Sequence, residues 1–493
     1  MSAPVLVVVN NPKSWPLKVK GVRLVSSRDY LTNESYADLD GARVYNLCRH
    51  YRYQSIGFYV SLLAAARGHH PEPSIPTLQD MRLVSIARLL SEDIDDLIQS
   101  SLAKVKSDKF TLSVYFGRNL AQRHDDLGSR LYGLFRAPLM RAQFARAKDG
   151  EWGMTSISPI SASEIPEHHR DFVVEAAEDH FSRRPRPRRP TKKVRAHLAI
   201  LYTPEEDNAP SNAGALKRFE KSARKLGIET EIITREDYGR IPEFDALFIR
   251  DNTSVNGYAY RFARRAAAEG LVVIDHPEST FRCNNKVYIA EMLRTNDLPA
   301  PRTMIIHREN LDQVEKQIGF PCILKEPDGT FSTGVKKVEN EAELQERAAQ
   351  FLERSELFIG QEFFPTTFDW RIGILDRKLF YAAKYHMAGS HWQIIQYTQT
   401  GAYVQAGDVE AIPLRRVPKL VRDTALRAAN LIGDGLYGVD VKQRGKECFV
   451  IEVNDNPNID AGCEDQVLGD ETYDRIMQTF LKRIEALRRG ARR

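Results

Sequence analysis

The residues of this chain whose types and spacing suit chemistry lie in one stretch. Tyr437-Gly438-Val439-Asp440-Val441-Lys442 is followed, beyond Arg444-Gly445-Lys446, by Cys448-Phe449-Val450-Ile451-Glu452-Val453 and the polar run Asn454-Asp455-Asn456-Pro457-Asn458. Runs of β-branched and aromatic residues on either side of a Gly-containing turn predict an antiparallel hairpin. Glu452 and Asn454, two apart, leave a strand on one face. Asp440 joins them there only if the connecting loop holds an odd number of residues, three or five, because a residue shares the face of its cross-strand partner. Two carboxylates and an amide oxygen converging on one point suit a hard cation. Mg²⁺ is such a cation, with Mn²⁺ as an alternative, and it usually completes its shell with water and nucleotide phosphates, so the trio asks for ATP nearby. One competing reading is a solvated acidic hairpin. Another, a calcium loop starting at Asn454, fails because its sixth position is Ile459 rather than Gly and its twelfth is Asp465 rather than Glu.

Upstream residues supply what a triphosphate needs. Pro321-Cys322-Ile323-Leu324-Lys325 is an apolar strand ending in one lysine, and a buried lysine needs an anion. Gly329-Thr330-Phe331-Ser332-Thr333-Gly334-Val335-Lys336 narrowly misses the Walker A pattern, with Val335 in the place of the lysine. A Walker loop opens a helix, whereas Val335 to Val338 reads as strand. The spacing therefore predicts a hairpin tip whose backbone N–H groups and hydroxyls, Ser332, Thr333 and Gly334 among them, fold over phosphates. Phe358 to Phe364 is a further apolar strand, with Gln361, Glu362 and Phe363 at its end suited to an adenine edge. Asp369 to Leu375 and Leu379 to Tyr385 form a second hairpin, carrying Arg371 and Lys384 as the catalytic candidates. With Asp440, Glu452 and Asn454 these cations balance a polyphosphate and a metal ion, for phosphoryl transfer carried by positioning and electrostatics.

The elements that position these groups follow from pattern. A chain of 493 residues, 42% hydrophobic and 28% charged, is globular and divides into roughly three domains. No stretch approaches a membrane span and no signal sequence opens the chain, so a cytoplasmic protein is expected. Five cysteines without CxxC spacing indicate neither a zinc site nor a disulfide framework. A net charge of +5 does not demand a polyanionic partner, and nucleic-acid binding is not expected. Strand candidates at Val5 to Val9, Ala42 to Leu47 and Phe110 to Phe116, with helices at Ile56 to Arg67 and Ser91 to Ala103, give an N-terminal α/β domain over 1–181. Its histidines, His50, His69, His70, His168 and His169, lack metal-binding spacing. The Pro/Arg run from Arg183 to Lys193 marks a linker over 182–194, more a solvated spacer than a phosphate contact. From Arg195 strands alternate with helices, which argues for a parallel sheet over 195–280. Arg250 and Thr253 fall at the C-terminal end of one of its strands, where open α/β sheets bind ligands, and so are substrate candidates.

Taken in order, the lysine-bearing strand, the Gly-rich hairpin, Gln361-Glu362-Phe363, Asp369-Trp370-Arg371, Gly438-Val439-Asp440 and Glu452 through Pro457 resemble the ATP-grasp fold, specifically RimK-like carboxylate–amine ligases. The resemblance covers roughly 195–486, and the segment before the linker resembles the N-terminal extension of some of these ligases. It implies an α/β protein: an extension domain, a pre-ATP-grasp parallel-sheet domain, and over 281–489 an ATP-grasp domain of two α+β lobes. It implies an ADP-forming ligase that phosphorylates a small-molecule or peptide carboxylate and lets an amine attack the acyl phosphate. By position, Lys286 and Lys325 would hold phosphates, Glu362 and its neighbours the adenosine, Asp440, Glu452 and Asn454 the Mg²⁺, and Arg371 the acyl phosphate. Asn458 stands where many relatives have Gly, which makes Asn456 and Asn458 candidates for shaping the acceptor pocket. An ATP-grasp kinase and a nucleotide-binding adaptor are the alternative readings, and the oligomeric state is left open.

Overall fold

The structure is a computed structural model. The residues described are 4–15, 17, 19, 22–39, 41–83, 91, 94–182, 194–204, 209–328, 334–389, 391–397 and 403–490. The chain forms two compact units: Met1–Thr191 with Glu236–Glu243, and Lys192–Arg235 with Phe244–Arg493. The short piece 236–243 joins the first unit from within the second unit's sequence, which contiguous boundaries do not anticipate. The Pro/Arg run at 183–193 and the Gly-rich tip at 329–333, with Ser332 and Thr333, lie outside the described residues. Among the described residues no helix is long and apolar enough to cross a membrane.

The first unit contains a parallel sheet in the order Arg23–Ser26, Val5–Val9, Arg43–Asn46, His70–Glu72 and an antiparallel sheet of Lys109–Tyr115, Leu139–Arg146 and Trp152–Pro159. Its helix Ile56–Ala66 begins where the Ser55 hydroxyl accepts from the Phe58 N–H, a side-chain cap for an otherwise orphaned donor. The helix read from Ser91 is described over Asp95–Leu102.

The second unit opens with a parallel sheet ordered Val272–Ile274, Ala246–Ile249, Ala196–Leu201, Ile228–Ile233. Helix Ala213–Lys225 covers it, capped by Asn212 and burying Ala215, Leu216, Phe219 and Ala223 at helical spacing. A four-stranded antiparallel sheet follows, ordered Thr303–Ile306, Phe358–Glu362, Cys322–Lys325, Val335–Val338. Val335–Val338 pairs antiparallel with Cys322–Lys325.

The five-stranded sheet that carries the candidate site runs Val409–Ala411, Lys378–His386, Phe368–Leu375, Leu436–Arg444, Glu447–Asp455. A period of two divides its faces. Trp370, Ile372, Ile374, Val439, Val441, Val450 and Val453 join one core with Val421, Ala425, Ala428 and Ile432 of helix Lys419–Ile432. Arg371, Gly373, Gly438, Asp440, Glu452 and Asn454 are left to the other face, paired across the strands. The Phe368–Leu375 hairpin closes through Asp376 and Arg377, both at positive φ, the handedness that matches strand twist.

Candidate active site

Asp440 and Glu452 are direct cross-strand partners, and Gly438 opposes Asn454. The route to this register differs from the expectation of an odd turn. Arg444 pairs with Glu447, leaving an even turn of Gly445 and Lys446, and a bulge between Asp440 and Val441 supplies the missing residue. The core requires it: Val450 and Val453 are both fully buried in one cluster, and positions three apart share a strand face only across a bulge. The bulge thus brings both carboxylates to one side.

Arg371 clamps Asp440, with Nε to Oδ1 at 2.5 Å and one terminal nitrogen to Oδ2 at 2.7 Å. Burial opposes the arginine's charge, but Asp440 outweighs it and holds the pKa well above the ordinary value. The Tyr385 ring stacks against the guanidinium, 4.6 Å from centroid to Cζ, and its hydroxyl donates to Glu464. Asn454 Nδ2 reaches Asp440 Oδ2 at 3.2 Å, and Lys286 Nζ lies 4.0 Å from Glu452. Lys442 Nζ meets Asp369 Oδ1 at 2.7 Å and Thr366 Oγ1 at 2.8 Å. Burial pushes Lys325 down to about 8; Glu452 and Asp369 oppose this and the neighbouring Lys286 and Lys442 add to it. Four cations, Lys286, Lys325, Arg371 and Lys442, therefore stand among three carboxylates, Asp369, Asp440 and Glu452. A partly desolvated lysine beside others suits an anion such as phosphate, which would supply the charge that burial withholds.

Among the described residues no group of three or more His, Cys, Asp or Glu is placed to hold a metal. The hairpin trio fits a hard divalent cation on donor chemistry: two carboxylates and an amide, all oxygen donors, on one face. The Arg371 clamp takes one lone pair from each Asp440 oxygen and the Asn454 amide the second on Oδ2, which leaves one on Oδ1 for a cation.

Other expected residues sit elsewhere. Lys384 opposes Trp370, so it belongs to the face away from Arg371; its Nζ lies over the Phe368 and Trp370 rings and 3.8 Å from Glu410. The structure does not bring it to the cluster. The strand alternation instead selects Tyr385, one residue on. Arg250 is not presented to a ligand: it is fully buried and donates to Ser211 Oγ at 2.9 Å, Asn456 Oδ1 at 2.7 Å, Pro457 O at 2.9 Å and Pro210 O. Burial lowers its pKa to about 10. Asn456, at φ +52°, completes this clasp by donating to Asp251 O at 2.6 Å. Burial raises the pKa of Asp455, and the half-buried Thr253 hydroxyl partly offsets that rise. Asn458 is half-buried, and its carbonyl accepts from Tyr381 Oη at 3.2 Å. Gln361 Nε2 donates to Thr303 Oγ1 at 3.0 Å, Glu362 pairs with Arg302 at 2.9 Å, and Phe363 packs under Lys337 Nζ at 4.4 Å. Gly334, at φ +70°, accepts through its carbonyl from the Glu326 N–H at 2.9 Å.

Sequence reasoning missed Lys442, Tyr385 and Glu464. Lys442 carried a signal, standing two residues beyond Asp440 on the same strand.

Residues 27–176 match the family described as RimK-like ATPgrasp N-terminal domain, and residues 293–461 match that described as D-ala D-ala ligase C-terminus. A probable alpha-L-glutamate ligase of Vibrio vulnificus is 25% identical over 224 residues, 45% of this chain and 71% of that protein. An alpha-aminoadipate--LysW ligase of Saccharolobus solfataricus is 25% identical over 256 residues, 49% of this chain and 88% of that protein. A solved D-alanine--D-alanine ligase from Bacillus anthracis is similar at 16% identity and a TM-score of 0.47, over 59% of this chain and 98% of that one. The chain thus carries a match to a RimK-like ATP-grasp N-terminal domain, followed along the sequence by a match to the C-terminal domain of a ligase.

Proposed function

We propose that the protein is an ATP-dependent, ADP-forming ligase that joins the carboxylate of an amino acid or peptide to an amine through an acyl phosphate, and that it works in the cytoplasm, where ATP is supplied. The observation that carries this is the meeting of the Arg371–Asp440 clamp with Lys286, Lys325 and Lys442 on one side of the sheet. The names of the curated relatives, glutamate and aminoadipate ligases, support the substrate class.

A carboxylate is a poor electrophile because its leaving group would be oxide; phosphorylation replaces that with phosphate. Lys286, Lys325 and Lys442 offset repulsion between the substrate carboxylate and the triphosphate. Arg371, held by Asp440 and Tyr385, would stabilise the oxyanion that develops when the amine attacks. Asp440, Glu452 and Asn454 would hold Mg²⁺, which when bound neutralises phosphate charge. Gln361, Glu362 and Phe363 would meet the adenosine, and the Gly-rich tip would cover the phosphates.

The test is an ADP-release screen over pairs of amino acids and short peptides, with mass spectrometry for a product lighter by one water than its two precursors. Hydroxylamine added with ATP and the carboxylate alone should yield a hydroxamate, because an acyl phosphate reacts with a strong amine. A stable phosphorylated product without hydroxamate would make the protein a kinase.

A further inference from the structure

A cavity of about 390 Å³ opens beside the candidate site, walled by Phe380, Tyr381, Ile412, Leu414, Val467 and Leu468, with Glu464, Arg415 and Arg475 also on its lining. Its volume falls within the size of ligand pockets, roughly 300–1,000 Å³, and its mix of apolar walls with a few convergent charges is typical of them. Glu464 is the unusual member. Only 2% of it is exposed, and its carboxylate accepts from Tyr385 Oη and, at 2.8 Å, from the Asp460 N–H. Among the described residues no lysine, arginine or histidine is ion-paired with it, and burial raises its pKa. Arg250 acts on Glu464 only through space, without contact, and a buried carboxylate with no cation in contact is costly unless a ligand brings one. Arg475, held by Glu471 through Nε at 2.9 Å, and Arg415 offer the opposite charge on the same lining.

We infer that this cavity binds the amine-supplying substrate, an apolar α-amino acid or the N-terminal residue of a peptide, with its ammonium on Glu464, its carboxyl end toward Arg415 and Arg475, and its side chain against Phe380, Ile412 and Leu414. Tyr385 connects the cavity to the reacting centre, since one hydroxyl-bearing ring touches both Glu464 and the Arg371 guanidinium. The inference rests on the ligase reading for the word substrate. Binding is testable without it.

The experiment is calorimetric titration of the full chain with L-leucine, 3-methylbutylamine, which lacks the carboxylate, and 4-methylpentanoate, which lacks the ammonium. Leucine and the amine should bind about tenfold or more tighter than the acid, the scale of one charge-assisted hydrogen bond. Glu464→Gln keeps an acceptor for the Asp460 N–H and an amide for the Tyr385 oxygen, yet should abolish the discrimination. Val467→Trp, at an exposed wall position, should weaken all ligands without touching Glu464. No binding, equal binding of the three, or discrimination that survives Glu464→Gln overturns the assignment. Hydroxamate formation by the unaltered protein reports the ligase reading separately: binding without hydroxamate removes that reading and keeps the pocket, and hydroxamate without discrimination does the reverse.

Discussion

Arg371 and Asp440 are joined by two parallel hydrogen bonds across adjacent strands, with both side chains largely buried. A guanidinium makes this fork and an ammonium does not. Arg371→Lys should therefore keep the charge and the fold while lowering ADP release by about 10²-fold or more, the scale of one well-placed electrostatic contact. Arg371→Met, which strands a buried carboxylate, should cost about 3–5 kcal/mol in denaturant unfolding. Full activity in the lysine variant would remove Arg371 from the reaction.

Lys325 gives a pH signature. Burial holds its pKa at about 8, and a bound polyphosphate favours the protonated form, so the pKa in the complex is higher. ADP binding should take up protons near pH 8, and affinity should fall as pH rises through that value. Titrations in two buffers of different ionisation enthalpy measure the uptake, and Lys325→Met should abolish it.

These residues were unequally legible in the sequence. Glu452 and Asn454 followed from a spacing of two, and Lys325 from a charge ending an apolar strand. Asp440 depended on parity, and parity was set by a bulge that the spacing of Val450 and Val453 encodes only once both are known to be buried. Arg250 was misread because a strand's C-terminal end suggests a ligand, whereas the chain itself returns more than 200 positions later, at Asn456 and Pro457, to occupy its donors. Glu464 meets Tyr385 across 79 positions, and no local pattern encodes such a contact.

Asp275 should make stability fall with pH. It is fully buried and accepts from the Leu436 N–H at 2.7 Å and the Asn456 N–H at 3.1 Å, and burial raises its pKa to about 7 against an ordinary 3.8. Between those values the native state keeps a proton that the unfolded chain has lost. The group's contribution is full below the unfolded pKa and is lost as pH rises through the folded one. Unfolding free energy should decline by on the order of 1–4 kcal/mol between about pH 4 and pH 8. Asp275→Asn should flatten that slope relative to the unaltered chain.

Gly438 tests how closely the clamp is packed. A Cβ placed there would lie 2.8 Å from Pro457 Cβ and 2.9 Å from Arg371 Cδ, well inside contact distance on both sides. The proline is held by the clasp on Arg250, which leaves Arg371 as the side chain that must shift. Gly438→Ala should therefore displace the guanidinium, and losses of about tenfold or more in turnover are expected from such a misplacement. Nucleotide affinity, set by lysines that Gly438 does not touch, should be unchanged. Gly445→Ala in the turn of the same hairpin is the matched control: nothing lies within 4 Å of its added Cβ, but φ is +60°. That substitution should cost about 1–2 kcal/mol of stability from left-handed strain and leave turnover alone. If both variants lose stability and activity in step, the hairpin acts only as scaffold. If Gly438→Ala alone loses turnover, with ADP binding intact, the position of Arg371 is what the reaction requires.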